Sequence, residues 1–330
     1  MTKFLVSMGL IVLGLALGQL LKAFSSQSAD GGMALSLWIR RMQMTALLVI
    51  NPVITLGAFW RVRLDDPNYV ALPLLGLAAL ALGGLLGWLF SRLLQHSRAK
   101  TGAMLVSASF TNLGNFGGFI CFVFFGEGSY AFVSIYKMFE ECFYYLIGYP
   151  LAKSYGTDIH GPVPGPFQPR AGNRFVRVIT DPFIRVYFVS ITLGILLNFS
   201  GLPRPGFYQA MNSVLIPVSS LLLVLSVGYN MRFKAIQAYR KECLWVATVK
   251  FAIIPIVITG AAWLLGIGSM KEGLVLKVVL VLSAMPPAFN SLIPPQIYGL
   301  DTDLANSCWL FCTGALVVVI PVLYLLVQRI

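Results

Sequence analysis

Apolar residues run along this chain in long blocks, and polar residues gather between them. A run of about 18 or more apolar residues is long enough to cross a bilayer as a helix. Ten such segments are predicted: Phe4–Leu21, Trp38–Trp60, Val70–Leu94, Gly102–Phe125, Ser129–Lys153, Pro182–Phe199, Met211–Tyr229, Cys243–Leu265, Leu274–Ile297 and Leu304–Val327. The fourth and ninth contain clustered helix breakers. Lys3 ahead of the first block resembles the start of a signal peptide. That block is long and its flank weakly charged, so a retained span is expected.

The connection at 154–181 contains GPVPGPFQPRAGNR, whose prolines forbid a continuous helix and whose glycines favour turns. It divides the chain into residues 1–153 and 182–330, with five predicted spans each. Asp181-Pro182 reads as a helix N-cap followed by proline at the first helical position.

Composition supports a membrane protein. Charged residues make up only 11% of the chain, against about 25% in soluble domains. The net charge is +12, but its basic residues lie between apolar blocks. There they set orientation and meet lipid headgroups, so nucleic acid is not an expected partner. Loops after odd-numbered segments hold Lys22, Arg40, Arg41, Arg92, Arg98, Lys100, Lys153, Arg170, Arg174, Arg177, Arg232, Lys234, Arg240 and Lys241. The opposite side holds Lys3, Arg61, Arg63, Arg204, Lys271 and Arg329. Fourteen against six directs the odd loops to the cytoplasm of a cell inner (plasma) membrane and both termini away from it.

Five spans per half force the second half to start inverted, an arrangement that recurs among secondary transporters. An offset of 171 residues maps Gly57 onto Gly228, Gly128 onto Gly299 and Pro150 onto Pro321, and brings the two interrupted segments into register. The expected fold is therefore all-α, with about ten transmembrane helices in two inverted five-helix repeats.

The fourth segment reads SFTNLGNFGGF, with Asn112, Gly114, Asn115, Gly117 and Gly118. The ninth reads SAMPPAFNSLIPP, with Pro286, Pro287, Asn290, Pro294 and Pro295. Backbone groups freed in hydrocarbon cost several kcal/mol each unless protein or a wet cavity receives them. A half-helix that starts after a break offers partly positive N–H groups to an anion. Two such breaks at matching positions point to a substrate site. Glycine packing and simple proline kinks are the bland alternatives.

These residues resemble the auxin efflux carrier family of plant PIN-type carriers and bacterial malonate-type permeases. The resemblance lies in Asn112, Gly114 and Gly117, in FGEG at Phe125–Gly128, and in Ala284–Pro286. Tyr298, Gly299 and Asp301, Thr313 and Pro321, Asn51-Pro52 and Asp181-Pro182 extend it. It implies a fold similar to bile-acid sodium symporters: a scaffold of spans one, two, six and seven, and a transport domain of spans three to five and eight to ten. The broken spans would cross at mid-membrane. Asn112 and Pro286 would contact an anionic substrate, joined by Asn290. Where the family often has a proline, this chain has Phe119, so the fourth break would rest on glycines alone.

The substrate set read from both arguments is Asn112, Gly114, Asn115, Gly117, Pro286, Pro287 and Asn290. Lys137, Glu140 and Glu141 fall in the middle of the fifth segment, where a charge is costly and a functional candidate by default. The i,i+3 and i,i+4 spacings place them on one helix face, and mutual neutralisation is the bland reading. Net charge −1 leaves one glutamate to hold or trade a proton or a sodium ion, and the coupling ion stays open. Lys250 and Lys277 lie nearer span ends, where snorkelling is expected, with a place beside the crossing as the rival. Tyr136, Tyr144 and Tyr145 read as packing or interface residues. The five cysteines have no zinc-like spacing, and the spans hold no histidine, so neither a metal site nor an enzyme is expected. The expected function is carriage of a small carboxylate by alternating access, with no cofactor. A passive anion channel and a membrane sensor are the rival classes, and a homodimer is left open.

Overall fold

In the computed structural model, residues 2–25, 29–62, 67–156, 182–230 and 236–330 are described. The connection read at 154–181 falls outside them from residue 157 onward, and Asp181 with it. Among the described residues the structure is helices joined by short non-helical connections, with no strand beyond one isolated β-bridge. Five helical stretches are long and apolar enough to cross a membrane: Leu35–Arg61, Asn68–Leu93, Phe207–Ser226, Ile236–Leu264 and Thr302–Val327. This fits a membrane protein.

In chain order the helices are α1 (Thr2–Ser25), α2 (Ala29–Thr45), α3 (Asn51–Arg61), α4 (Ala71–Leu93), α5 (Arg98–Ser109), α6 (Gly118–Phe125), α7 (Tyr130–Tyr136) and α8 (Glu140–Phe143). There follow α9 (Tyr149–Tyr155), α10 (Pro182–Phe199), α11 (Phe207–Asn230), α12 (Arg240–Thr248), α13 (Ile254–Leu264), α14 (Leu274–Ser283), α15 (Ile293–Tyr298) and α16 (Thr302–Val327). Single π turns join α2 to α3 at Ala46–Ile50, α8 to α9 at Tyr144–Gly148 and α12 to α13 at Val249–Ile253. Helix thus occupies all ten predicted segments. One expectation fails: the fifth is not continuous. It turns at Lys137–Phe139, between α7 and α8, so Lys137 does not share one helical face with Glu140 and Glu141. The tenth segment, α16, runs unbroken through Pro321.

The chain forms two compact units. The first comprises Met1–Pro67, Gly114–Ser134 and Asp181–Met231. In it α1 lies along α11, and Gly18 and Gly228 let the backbones approach: a Cβ on Gly18 would strike Leu225 O and Tyr229 N, and one on Gly228 would strike Leu15 O. Small residues at such crossings are how apolar helices associate without a hydrophobic driving force. Asn198 Nδ2 in α10 lies 2.6–3.0 Å from the carbonyls of Phe59, Trp60 and Val62, which the end of α3 would otherwise leave without donors.

The same unit holds a partly buried ion cluster. Both Glu127 oxygens meet the Arg204 guanidinium, Asn212 Nδ2 donates to Oε1 at 2.8 Å, and Arg61 lies 3.7 Å from Oε2. Burial pushes the Glu127 pKa up. The hydrogen bonds from Arg204 and Asn212 and the charges of Arg204 and Arg61 outweigh it and hold the carboxyl below its ordinary value of 4.5. A depressed carboxylate pKa contributes stability above the unfolded value, and that contribution is lost as pH falls through the folded one. The melting temperature of the wild type is therefore expected to drop on acidification below about pH 4.5. Glu127→Gln should be less stable at neutral pH and lose less on acidification. Equal pH slopes for the two proteins, read by intrinsic fluorescence, would refute this account.

The second unit comprises Asn68–Leu113, Ile135–Thr180 and Arg232–Ile330. Gly83 and Gly87 of α4 abut the Ala108 and Met104 backbone of α5, and Ser109 Oγ donates to Leu80 O at 2.8 Å. Asp301 caps α16 by accepting from Leu304 N at 2.9 Å, its own N–H reaches Ala99 O at 3.3 Å, and Tyr239 donates to its carboxylate. His96 Nε2 lies 3.3 Å from Glu242 Oε1; burial pushes the imidazole pKa down, against the pull of that carboxylate.

Candidate functional site

The ninth segment breaks for a local reason. α14 ends at Ser283, and Pro286 and Pro287 bring no N–H groups. The residue before a proline is also pushed out of the helical region. The chain stays non-helical to Ala288, extended at φ −68°, ψ 154°, and turns helical again at Phe289–Leu292 and α15.

The fourth segment breaks where the glycines are not. α5 ends at Ser109, Phe110 is extended at φ −68°, ψ 129°, and the break spans Phe110, Thr111 and Asn112. Gly114, Asn115 and Gly117 lie in the π turn Leu113–Gly117, and Gly118 starts α6. The expectation that glycines carry this break is thus corrected. Phe119 is buried within α6. Nothing in the sequence FTN forbids a helix, so the break is set by the partners its backbone finds.

Those partners come from the ninth segment. Asn112 N–H donates to Pro286 O at 2.9 Å, Ala288 N–H donates to Phe110 O at 3.1 Å, and Thr111 and Pro287 form an antiparallel bridge. The two breaks therefore satisfy each other as a miniature two-stranded ladder. Such pairing is what backbone removed from water requires. All of these residues belong to the second unit. Gly114, Asn115 and Gly117 belong to the first.

Two side chains, Lys250 and Tyr144, lock this ladder, and Asn290 bonds beside it. Lys250, in the π turn Val249–Ile253, is fully buried at 0% exposure, and its Nζ donates to Ser109 O at 3.1 Å and Thr111 Oγ1 at 2.5 Å. The expected snorkelling to the interface is therefore wrong. A π turn inserts one residue and rotates side chains out of the plain helical register, which span-end counting does not foresee. Tyr144, read from sequence as packing, accepts from Thr111 N–H at 3.0 Å. Its hydroxyl also lies 3.0 Å from Thr111 O and 2.8 Å from Glu140 Oε1. Its ring stacks on Phe110 at 4.0 Å. Asn290 Nδ2 donates to Glu141 Oε1 at 3.4 Å.

The predicted residues thus separate. Asn112, Pro286 and Pro287 meet, Asn112 at 4% exposure, and Asn290 reaches Glu141. Glu140, Lys137 and Lys250 interact electrostatically. Lys277 sits in the first turns of α14, half-buried beside Gly273, away from the break at that helix's other end. Thr111 and Tyr144 are the residues that sequence reasoning missed. Among the described residues no three His, Cys, Asp or Glu side chains gather into a metal site. The region combines non-helical backbone paired across the two breaks, one buried lysine and a carboxylate pair. No protein-family model matches the chain, and no curated protein matches it at a significant level.

Proposed function

We propose that the protein is a secondary carrier of a small organic anion of the carboxylate class, working by alternating access in the cell inner (plasma) membrane, with the paired breaks as its substrate site. One observation carries this reading: the interrupted fourth and ninth segments come together backbone to backbone, with the buried Lys250 side chain hydrogen-bonded to the fourth-segment break. Irregular backbone at membrane depth is tolerated where it is buried in protein or lines a cavity, and in transporters it marks the binding site. Ten spans with cytoplasmic odd loops, and kinship with the auxin efflux carriers, belong to the same proposal. The make-up of the second unit supports it in part, because α4, α5, α8, α9 and α12 to α16 come from the segments that the resemblance assigns to a transport domain, while α6 and most of α7, from the same segments, lie in the first unit.

Purified protein in liposomes is expected to take up one or more radiolabelled mono- or dicarboxylates with saturation. Asn112→Ala should lower that uptake by about tenfold or more, the loss of roughly one charge-assisted hydrogen bond worth about 1.5–3 kcal/mol. Wild-type uptake by the variant would remove Asn112 from the site. Flux that never saturates would favour a channel.

A further inference from the structure

Tyr144 holds one proton and faces two acceptors. Its buried hydroxyl accepts from Thr111 N–H, and Thr111 O at 3.0 Å and Glu140 Oε1 at 2.8 Å both lie within donating distance. A phenol donates once, so only one of them is served at a time. With Glu140 ionised, the charge-assisted bond to the carboxylate is the stronger, and Thr111 O goes without this donor. With Glu140 protonated, its O–H donates to Tyr144 Oη, and the phenol proton turns to Thr111 O. One proton on Glu140 therefore reverses the chain of hydrogen bonds and ties both backbone groups of Thr111 to Tyr144.

Thr111 is no ordinary neighbour. It bridges Pro287, its flanking residues hold both hydrogen bonds between the two breaks, and its Oγ1 receives Lys250. The charge state of Glu140 is thus read directly at the crossing. We infer that Glu140 carries the coupling proton of this protein and that Tyr144 is the positioning residue that transmits its state to the paired breaks. This rests on the carrier reading above and goes beyond it by naming the ion, the residue and the direction of coupling.

The direction follows from the surrounding charges. The titratable groups facing Glu140 are Lys137 in its own turn, Lys250 from the π turn between α12 and α13, and the hydroxyls of Tyr136 and Tyr144. Glu141 instead receives the Asn290 amide, which has no proton to trade. An ionised Glu140 balances lysine charge. An anion arriving at the crossing competes with Glu140 for that lysine charge, and the two negative charges repel each other more strongly there than in water. Anion binding therefore favours protonation of Glu140, and by reciprocity protonation favours the anion. The proton comes from water on the side that binds the anion and returns to water on the side that releases it. The result is proton–anion symport.

Infrared difference spectra of the purified protein between low and high pH, with no substrate, test the titration. One component of the protonated-carboxyl C=O band should be present in wild type and in Glu141→Gln, absent from Glu140→Gln, and shifted in Tyr144→Phe. Persistence of every component in Glu140→Gln overturns the inference, and so does an unshifted band in Tyr144→Phe. In liposomes carrying an entrapped pH dye, uptake of malonate and a panel of other carboxylates should bring protons along. An inward proton gradient should raise wild-type uptake by about tenfold, within the usual range of coupling between two sites, and leave Glu140→Gln unresponsive. Carboxylate movement without protons overturns only the inference. No movement of any carboxylate by wild type overturns the carrier reading and the coupling with it.

Discussion

Lys250→Met is expected to abolish carboxylate uptake and to lower the stability of the detergent-purified protein by about 1–3 kcal/mol, the range for a buried polar group left without its partner. Methionine matches the length and approximate volume of lysine, so little of the loss should come from a cavity. What disappears is the ammonium. Thr111 Oγ1 loses its donor at 2.5 Å, Ser109 O loses one at 3.1 Å, and Glu140 loses one of the two lysine charges that act on it. The first two effects loosen the strand that pairs with the ninth-segment break. The third removes the positive charge beside which the anion is proposed to bind. A Met variant with wild-type melting temperature and uptake would show that the buried lysine neither holds the break nor serves the substrate. Loss of stability with full uptake would confine Lys250 to a structural role.

Ala288→Pro is the second test, and it acts on one hydrogen bond. The backbone at Ala288 already has φ −68°, which is the value proline imposes, so the substitution causes no torsional strain. It deletes the N–H that donates to Phe110 O at 3.1 Å and sets the pyrrolidine ring where that hydrogen pointed. A carbonyl stripped of its donor away from water is penalised by about 1–3 kcal/mol, and by several kcal/mol in hydrocarbon. Ala288→Ser retains the N–H and controls for side-chain change. Transport is expected to fail in the proline variant and survive in the serine one. Full activity in Ala288→Pro would mean that the ladder between the breaks is dispensable.

Much of this architecture was legible in the sequence, for reasons that differ from element to element. Helix appears in all ten apolar blocks because segment length and apolarity report a non-directional preference to leave water. The ninth break was legible because Pro286 and Pro287 carry their effect in their own covalent structure. The fourth was placed a few residues late. Its glycines are tolerated inside a π turn and a helix, whereas Phe110, Thr111 and Asn112 leave the helix to reach donors and acceptors about 175 residues away. The turn at Lys137–Phe139 has no proline or glycine to announce it. Lys250 was misread because distance from a span end does not measure depth when a π turn rotates the side chain inward.

By itself, then, the sequence determined a helical build among the described residues, apolar segments that fit a membrane protein and the weakness of two of them, since these follow from local composition and periodicity. Only the tertiary structure decided that the two weak points bond to each other, that Lys250 and Tyr144 converge on Thr111, and that Glu140 stands one hydroxyl away. A backbone group buried from water must find a specific partner in space, and no count along the chain says which remote residue will supply it.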